Sequence, residues 1–420
     1  MSSRASLFDQ LRAPAQKGPF CCCPPKSQRQ LKPPRLGDRF NACPLSSVPS
    51  GWSAIERQRP RALSSRFLPF VLLLQKRQVA MNLFELTRAL VDIESTTNHE
   101  EKVGDYLFAH LSAIAARHNG QVERIPVEPN RDNVLAFWGA PMVTFSTHMD
   151  TVPPFFASHE DNEFIWGRGS CDAKGIIASM IAAAEKLLAA GTQNFGLLFV
   201  VGEERNSAGA TAAAANPRGS RFLINGEPTG NRLALGSKGA LRYEITAQGK
   251  LAHSAYPELG HSAIHTLLDV LSDVRQIPLP EDPLLGRSTL NIGTIAGGRA
   301  PNVVADHAEA EIMFRTVGNP SEIRKAVSAA AAGRAEAREV LHTPAVQLAK
   351  VDGLPTTIVA FTTDIPAFNG VWGEPFLIGP GSIHVAHTAE ERISKKELSE
   401  AVEVYARMAS QLLATGRSAA

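Results

Sequence analysis

From residue 81 onward the sequence alternates short apolar runs with segments of helical period, and this rhythm restricts the fold more than any other feature. Leu83, Leu86, Leu90 and Ile93 recur at helix spacing in "MNLFELTRALVDIEST", as do Leu107, Leu111 and Ile114 in the next segment. The runs "NVLAFWG", "MVTFST", "LLFVVG" and "RFLING" are set off by the helical "AKGIIASMIAAAEKLLAAG", which closes on Gly191. Strands that are apolar at consecutive positions are buried on both faces. The pattern therefore predicts an α/β domain with a mostly parallel sheet covered by helices.

Near residue 230 the rhythm changes. "ALRYEITAQG" reads as a strand, "HSAIHTLLDVLSDVRQ" as a helix, and "STLNIGTIAGG" and "HAEAEIMFRTV" as strands. The helix "PSEIRKAVSAAAAGRAEA" and the strand-like "EVLHTPAVQL" follow. That is the βαββαβ order of a ferredoxin-like unit, inserted over residues 231–345 between two parts of the first domain, 81–230 and 346–420. The last helix is "SKKELSEAVEVYARMASQLLAT".

Charge and cysteine divide the 420-residue chain at the same place. Residues 1–80 hold 14 Lys and Arg against 3 Asp and Glu, whereas residues 81–420 hold 29 against 38. Cys21, Cys22, Cys23 and Cys43 lie in the first part, and Cys171 alone in the second. No 3.6- or 2-residue period runs through residues 1–80, and prolines interrupt every candidate element. The expectation is a disordered or spurious extension ahead of a start at Met81, with an organellar transit peptide as the rival. One thiol in the body excludes a disulfide framework there and suits a reducing, cytoplasmic setting. The acidic balance argues against nucleic acid as a partner. No run approaches the ~20 apolar residues of a membrane span, so no membrane partner is expected.

Ligand-capable side chains gather just after the apolar runs. "STHMDTVPP" gives His148 and Asp150, and "GRGSCDAKG" gives Asp172 at a helix start. "LLFVVGEERNSAGA" gives Glu203 and Glu204, "INGEPTG" gives Glu227, and "GPGSIHVAHTAEE" gives His384 and His387. In open α/β sheets, sites form at the carboxyl ends of strands. Imidazole with carboxylate and no thiolate suits Zn²⁺, Co²⁺ or Mn²⁺. Glu203 and Glu204, adjacent on extended chain, point to opposite sides and so take different tasks. His384 and His387 remain alternatives for one ligand position.

Taken in order, "STHMDTVP", "GRGSCDAKG", "GEERNSAGA", "GEPTG" and "AHTAEE" resemble the successive motifs of the M20 metallopeptidase/deacylase family, over residues 81–420. The resemblance implies a zinc-peptidase-like catalytic domain with an inserted lid, through which two subunits form a homodimer. It implies two divalent metal ions, Zn²⁺ or in its place Co²⁺: His148 and Glu227 on one, Glu204 and His387 on the other, Asp172 bridging. It makes Asp150 the partner that orients His148, Glu203 the general base, and His253 in "GKLAHSAYP" the group that reaches the partner subunit's oxyanion. Asn302 in "GGRAPNVVAD" and Arg315 in "IMFRT" match substrate-binding positions. A cis peptide between Asp172 and Ala173 is also implied. The chain departs from the family's usual pattern at Ala305, where proline is common, and at Arg205-Asn206. The implied reaction removes the acyl group from a small N-acyl amino acid. The C-terminal motif is most like the acetylornithine deacetylases of arginine biosynthesis. A di- or carboxypeptidase, or a succinyl-diaminopimelate desuccinylase, is the alternative.

Overall fold

The computed structural model describes residues 81–417, and the expectations for residues 1–80 lie outside them. Helix α1 (Leu83–Val91) starts where Asn82 accepts from the amides of Phe84 and Glu85, and Glu85 accepts in return from the Asn82 amide. This reciprocal cap satisfies amides that the first helical turn leaves free. Helix α2 (Glu101–His118) ends on Asn119 in the left-handed conformation.

Strands β1 (Gln121–Glu128), β2 (Arg131–Trp138), β3 (Val143–His148), β4 (Phe195–Val200), β5 (Phe222–Asn225), β6 (Leu233–Ser237) and β11 (Glu374–Leu377) share one sheet. Its order is β1-β2-β4-β3-β5-β11-β6, and two short strands, Val346–Gln347 and Thr356–Val359, pair with β6. The four central strands β4, β3, β5 and β11 run parallel. The flanking pairs β1–β2, β2–β4 and β11–β6 are antiparallel. The apolar runs alternate between two cores, as strand geometry requires. Phe195, Leu197 and Phe199 enter the core under α2 and α3 (Gly175–Ala189), while Leu198 and Val200 enter the one under α4 (Ala208–Ala214). Helix α3 is buried almost throughout, because α1 and α7 (Lys395–Arg417) pack on it from outside the sheet.

A second, four-stranded sheet holds β7 (Gly239–Gln248), β8 (Thr289–Gly297), β9 (His307–Thr316) and β10 (Glu336–Thr343) in the antiparallel order β8-β9-β7-β10. Helices α5 (Ala263–Val274) and α6 (Ser321–Ala331) pack on one face of it through Leu267, Val270, Leu271, Ile323 and Val327. The chain order is βαββαβ, as the sequence pattern predicts. One element differs: the run "EVLHTPAVQL" reads as one strand but divides at Pro344. Residues up to Thr343 belong to this sheet, and Val346–Gln347 to the large one. Proline has no amide to donate, so the ladder stops there. The two crossings pass close together, and a Cβ at Gly239 would collide with the Thr343 carbonyl oxygen.

Arg131 opens β2 with its side chain buried. Its guanidinium donates from Nε at 2.9 Å and Nη2 at 2.7 Å to the fully buried Glu100, and from Nη1 at 2.6 Å to the half-exposed Glu128. Removing Glu100 strands a buried cation. Glu100→Ala should therefore cost about 3–5 kcal/mol of stability and Glu128→Ala less than about 1 kcal/mol. Urea unfolding of the two variants checks this difference; equal costs would refute the anchoring role of the buried pair.

Candidate metal centre

Parallel strands carry the ligand candidates to one edge of the large sheet. His148 is the last residue of β3, Glu203 and Glu204 follow β4, Glu227 follows β5, and His387 lies in the loop after β11. Asp172 sits in the turn Ser170–Lys174 that leads into α3. The peptide between Asp172 and Ala173 is cis. His148 Nε2 lies 2.9 Å from Asp172 Oδ1. His387 Nε2 lies 3.0 Å from Glu204 Oε1 and 3.4 Å from Asp172 Oδ2. Asp172 therefore touches both imidazoles. Ligand atoms of His148, Asp172 and Glu204 all lie within 4.8 Å of one another, a group able to hold a metal ion.

The electrostatics say why a cation belongs there. Burial raises the carboxyl pKa of Glu203, Glu204 and Glu227, and neighbouring carboxylates raise them further: Glu227 acts on Glu203, and Asp172 on the other two. Asp172 moves the other way. Burial opposes its charge, but hydrogen bonds from His148 and His387 hold it well below the usual carboxylate range. Glu227 is 4% exposed, and its Oε1 has no hydrogen-bond partner among the described residues. A buried carboxylate oxygen with nothing to accept from fits a divalent cation, as does a donor set of imidazole and carboxylate.

Two further carboxylates hold the backbone that carries these ligands. Asp150 accepts from the amides of Glu203 at 3.1 Å and Glu204 at 3.2 Å and from the Thr97 hydroxyl at 2.8 Å. Its Oδ1 is 3.5 Å from His148 Nδ1, whose nearer neighbour is the Asp150 backbone oxygen at 3.0 Å. Glu391 takes three amides in the Asp172 turn, from Gly169, Cys171 and Asp172, on Oε1, and the Arg168 guanidinium on Oε2 at 2.6 Å. Cys171 is a buried thiol whose pKa burial pushes well up. Gly381 packs on it, with φ +88° and no room for a Cβ beside the sulfur.

The cluster opens into a cavity of about 440 Å³. Asp172, Glu203, Glu204, Glu227 and His387 line it on one side, and Arg315 reaches it from β9. His253 and Asn302 do not line it: both are exposed on adjoining loops of the smaller sheet, where the Ser254 amide donates to the Asn302 carbonyl at 3.0 Å. His384, the alternative to His387, is also absent from the lining. Sequence reasoning missed Glu391, quoted only as an acid after His387, and Asp364 in "FTTDIPAF". Asp364 is buried, with its carboxyl pushed up to about 7 chiefly by burial. Its signal was the one that found the others, an acid shortly after a strand, but that strand, Thr356–Val359, is only four residues long. Arg242, in the middle of β7, also lines the cavity; alternation marks its face, but not what that face meets.

Comparison with known proteins agrees with this geometry. The profile of peptidase family M20/M25/M40 matches residues 144–411. The chain is 37% identical over 337 residues to a peptidase M20 domain-containing protein of Schizosaccharomyces pombe, covering 78% of this chain and 84% of that protein. It is 38% identical over 368 residues to a probable carboxypeptidase of Aspergillus terreus, covering 76% of this chain and 84% of the other. An M20 family metallo-carboxypeptidase from Sulfolobus solfataricus shares the fold with a TM-score of 0.65 at 16% identity, over 77% of this chain and 98% of that one. So does a dinuclear metal binding peptidase of the same family from Bacillus subtilis, with a TM-score of 0.55 at 19% identity, over 79% and 98%.

Hydrogen bonds to Asp172 and Glu204 push the His387 imidazole up to about 10. Below that pH the metal-free protein carries a proton there that a metal-ligating imidazole lacks. Binding must release it, so apparent metal affinity should rise with pH, by up to about tenfold per unit for each proton released. Calorimetric titration with Zn²⁺ at pH 7, in buffers of different ionisation enthalpy, should report release of at least one proton. Zero release would refute His387 as a ligand.

Proposed function

The chain belongs to peptidase family M20/M25/M40, and we propose that it is a two-metal carboxypeptidase releasing an amino acid from the carboxyl end of a small peptide or N-acyl amino acid. The observation that carries this reading is the opposition of two walls in one cavity: the His387 imidazole with Asp172, Glu203, Glu204 and Glu227 on one side, and the Arg315 guanidinium on the other. His148 and Glu227 would hold one ion, Glu204 and His387 the second, with Asp172 shared, and Zn²⁺ or Co²⁺ suits these donors. When bound, such ions polarise the acyl oxygen and lower the pKa of a water. Glu203 takes the proton from the attacking water and passes it to the departing amine. It follows β4 beside the ligands but is not among the residues that would hold metal, which leaves its carboxylate free for both steps. Arg315 receives the free carboxylate of the substrate, since a planar guanidinium can donate two parallel bonds to it.

The acetylornithine reading loses ground here. Arg205, Arg242 and Arg315 all line the cavity and would repel a cationic ornithine side chain. Curated relatives named probable carboxypeptidases support the alternative. Fed a panel of dipeptides, tripeptides and N-acetyl amino acids with Zn²⁺ or Co²⁺, the protein should release free carboxyl-terminal amino acids. Faster hydrolysis of N-acetylornithine than of every peptide would overturn the proposal.

Glu203→Gln should lower kcat by about 10²–10⁴-fold with full metal content, whereas Glu204→Gln should lose metal. Equal metal loss in both would reverse the two roles.

The cavity of one chain lacks His253 and Asn302, so the proposal includes a homodimer through the smaller sheet. β8 is an edge strand with Ile295 exposed, and α5 exposes Leu268. An unpaired edge beside exposed apolar residues suits strand-to-strand association. Paired in this way, His253 would enter the partner's cavity and donate to the oxyanion of the tetrahedral intermediate. Mixed with Glu203→Gln under subunit exchange, inactive His253→Ala should regain part of its activity through heterodimers. No recovery after verified exchange would rule out action in trans.

A further inference from the structure

The wall of the cavity formed by the smaller sheet carries more positive charge than the reaction requires. Strand pairing sets Arg242 opposite Met313 and Ala240 opposite Arg315. Alternation then puts these four side chains on one face, and all four line the cavity. Arg242 and Arg315 are diagonal neighbours across the β7–β9 pair, a relation that spans about 7–8 Å. Arg315 lies 3.4 Å from the Thr362 hydroxyl. Arg242 Nε is buried and has no hydrogen-bond partner among the described residues. His342 also lines this wall, and burial and the nearby Arg324 lower its pKa. The acids lining the cavity are Asp172, Glu203, Glu204 and Glu227, and all four belong to the cluster at the ends of the parallel strands. With Asp172, Glu204 and Glu227 committed to cations, Glu203 is the one lining carboxylate left to act on Arg315, and Arg242 still needs an anion from the substrate.

We propose that Arg242 and Arg315 together form a subsite for a dicarboxylic leaving residue, so that the preferred substrates end in glutamate or aspartate. The inference rests on the carboxypeptidase reading, since it takes the released amine to carry a free α-carboxylate. One carboxylate can occupy only one guanidinium fork, and it leaves the buried Nε of the other unpaired. A residue with two carboxylates supplies an acceptor to each. Its neutral isostere, glutamine, offers Arg242 no charge. A site with buried donors discriminates strongly against a ligand that cannot satisfy them.

The test uses the full chain loaded with Zn²⁺ and two probes, free glutamate and free glutamine, titrated by calorimetry. The wild type should bind glutamate about 10- to 100-fold more tightly than glutamine, the worth of a hydrogen bond to a charged group. Arg242→Gln should bring that ratio close to one, and Arg242→Lys, which keeps the charge but loses the fork, should leave an intermediate ratio. Should Arg242→Gln not fold, the drop in Arg242→Lys carries the test. A ratio near one in the wild type, or an undiminished ratio in the variants, overturns the proposal. Hydrolysis of Ala-Ala-Glu against Ala-Ala-Gln separates this claim from the broader one. If neither peptide is cut, the carboxypeptidase reading fails, while the calorimetric ratio still decides whether Arg242 reads a second carboxylate.

Discussion

Like charge packed into a place with little water is the constraint around which this protein is arranged. Asp172, Glu203, Glu204 and Glu227 converge on one end of the sheet, and burial alone pushes the last three toward the neutral form. Two unit charges 4 Å apart repel by about 4 kcal/mol at an effective dielectric of 20, so several carboxylates at such spacing cannot all ionise unless cations offset them. The protein's own cations there are the two imidazoles, and Asp172 shows their effect: it is the member that touches both, and the one whose pKa falls. Glu227, with an oxygen that no donor among the described residues reaches, marks where the imidazoles do not suffice. The cluster is thus built to be completed by metal.

Such a cluster can persist only if the chain around it is fixed, and two charged acceptors do much of that. Asp150 gathers the amides that precede the Glu203 and Glu204 side chains, and Glu391 gathers three amides around Asp172. A hydrogen bond to an ionised acceptor is roughly twice as strong as one between neutral groups. These contacts hold the backbone at Glu204 and Asp172 in place before any metal arrives. Glu391 is in turn anchored by Arg168, with both side chains almost fully buried. Removing either would strand the other, so the turn and its anchor stand or fall together.

Much of this was legible in the sequence, for a physical reason. Parallel strands buried on two faces must be continuously apolar, so a break into Asp, Glu or His at the strand's end is conspicuous; His148, Glu203, Glu204 and Glu227 were found in that way. The smaller sheet was legible because one of its faces is covered by helices and the other is not, which writes a period of two into β7 and β9. What failed to show has the opposite character. β1 reads "QVERIPVE", an edge strand that is polar and interrupted by Pro126, with no pattern to betray it. β11 and Thr356–Val359 have four residues each, too few to show a period. Glu391 and Arg242 have meaning only through what they meet across space, Glu391 more than 200 residues from the amides it holds.

The division of labour between the two sheets follows from the same geometry. Parallel strands end together, so a parallel sheet can deliver several ligands to one point, as β3, β4 and β5 do. An antiparallel sheet cannot converge its ends in this way, but it offers a flat face on which alternate positions can be varied singly. β7 and β9 use such a face to hold Arg242 and Arg315 over the cavity while Leu241 and Phe314 on the other face pack against α5 and α6. Substitution on the cavity face leaves that apolar core untouched, because Arg242 and Arg315 lie on the opposite face of the sheet from Leu241 and Phe314. A chain organised in this way can change which residue it recognises without rebuilding the groups that would cut the bond. On the proposed reading, the charge on the smaller sheet would set the substrate preference, while the ends of the parallel strands would set the chemistry.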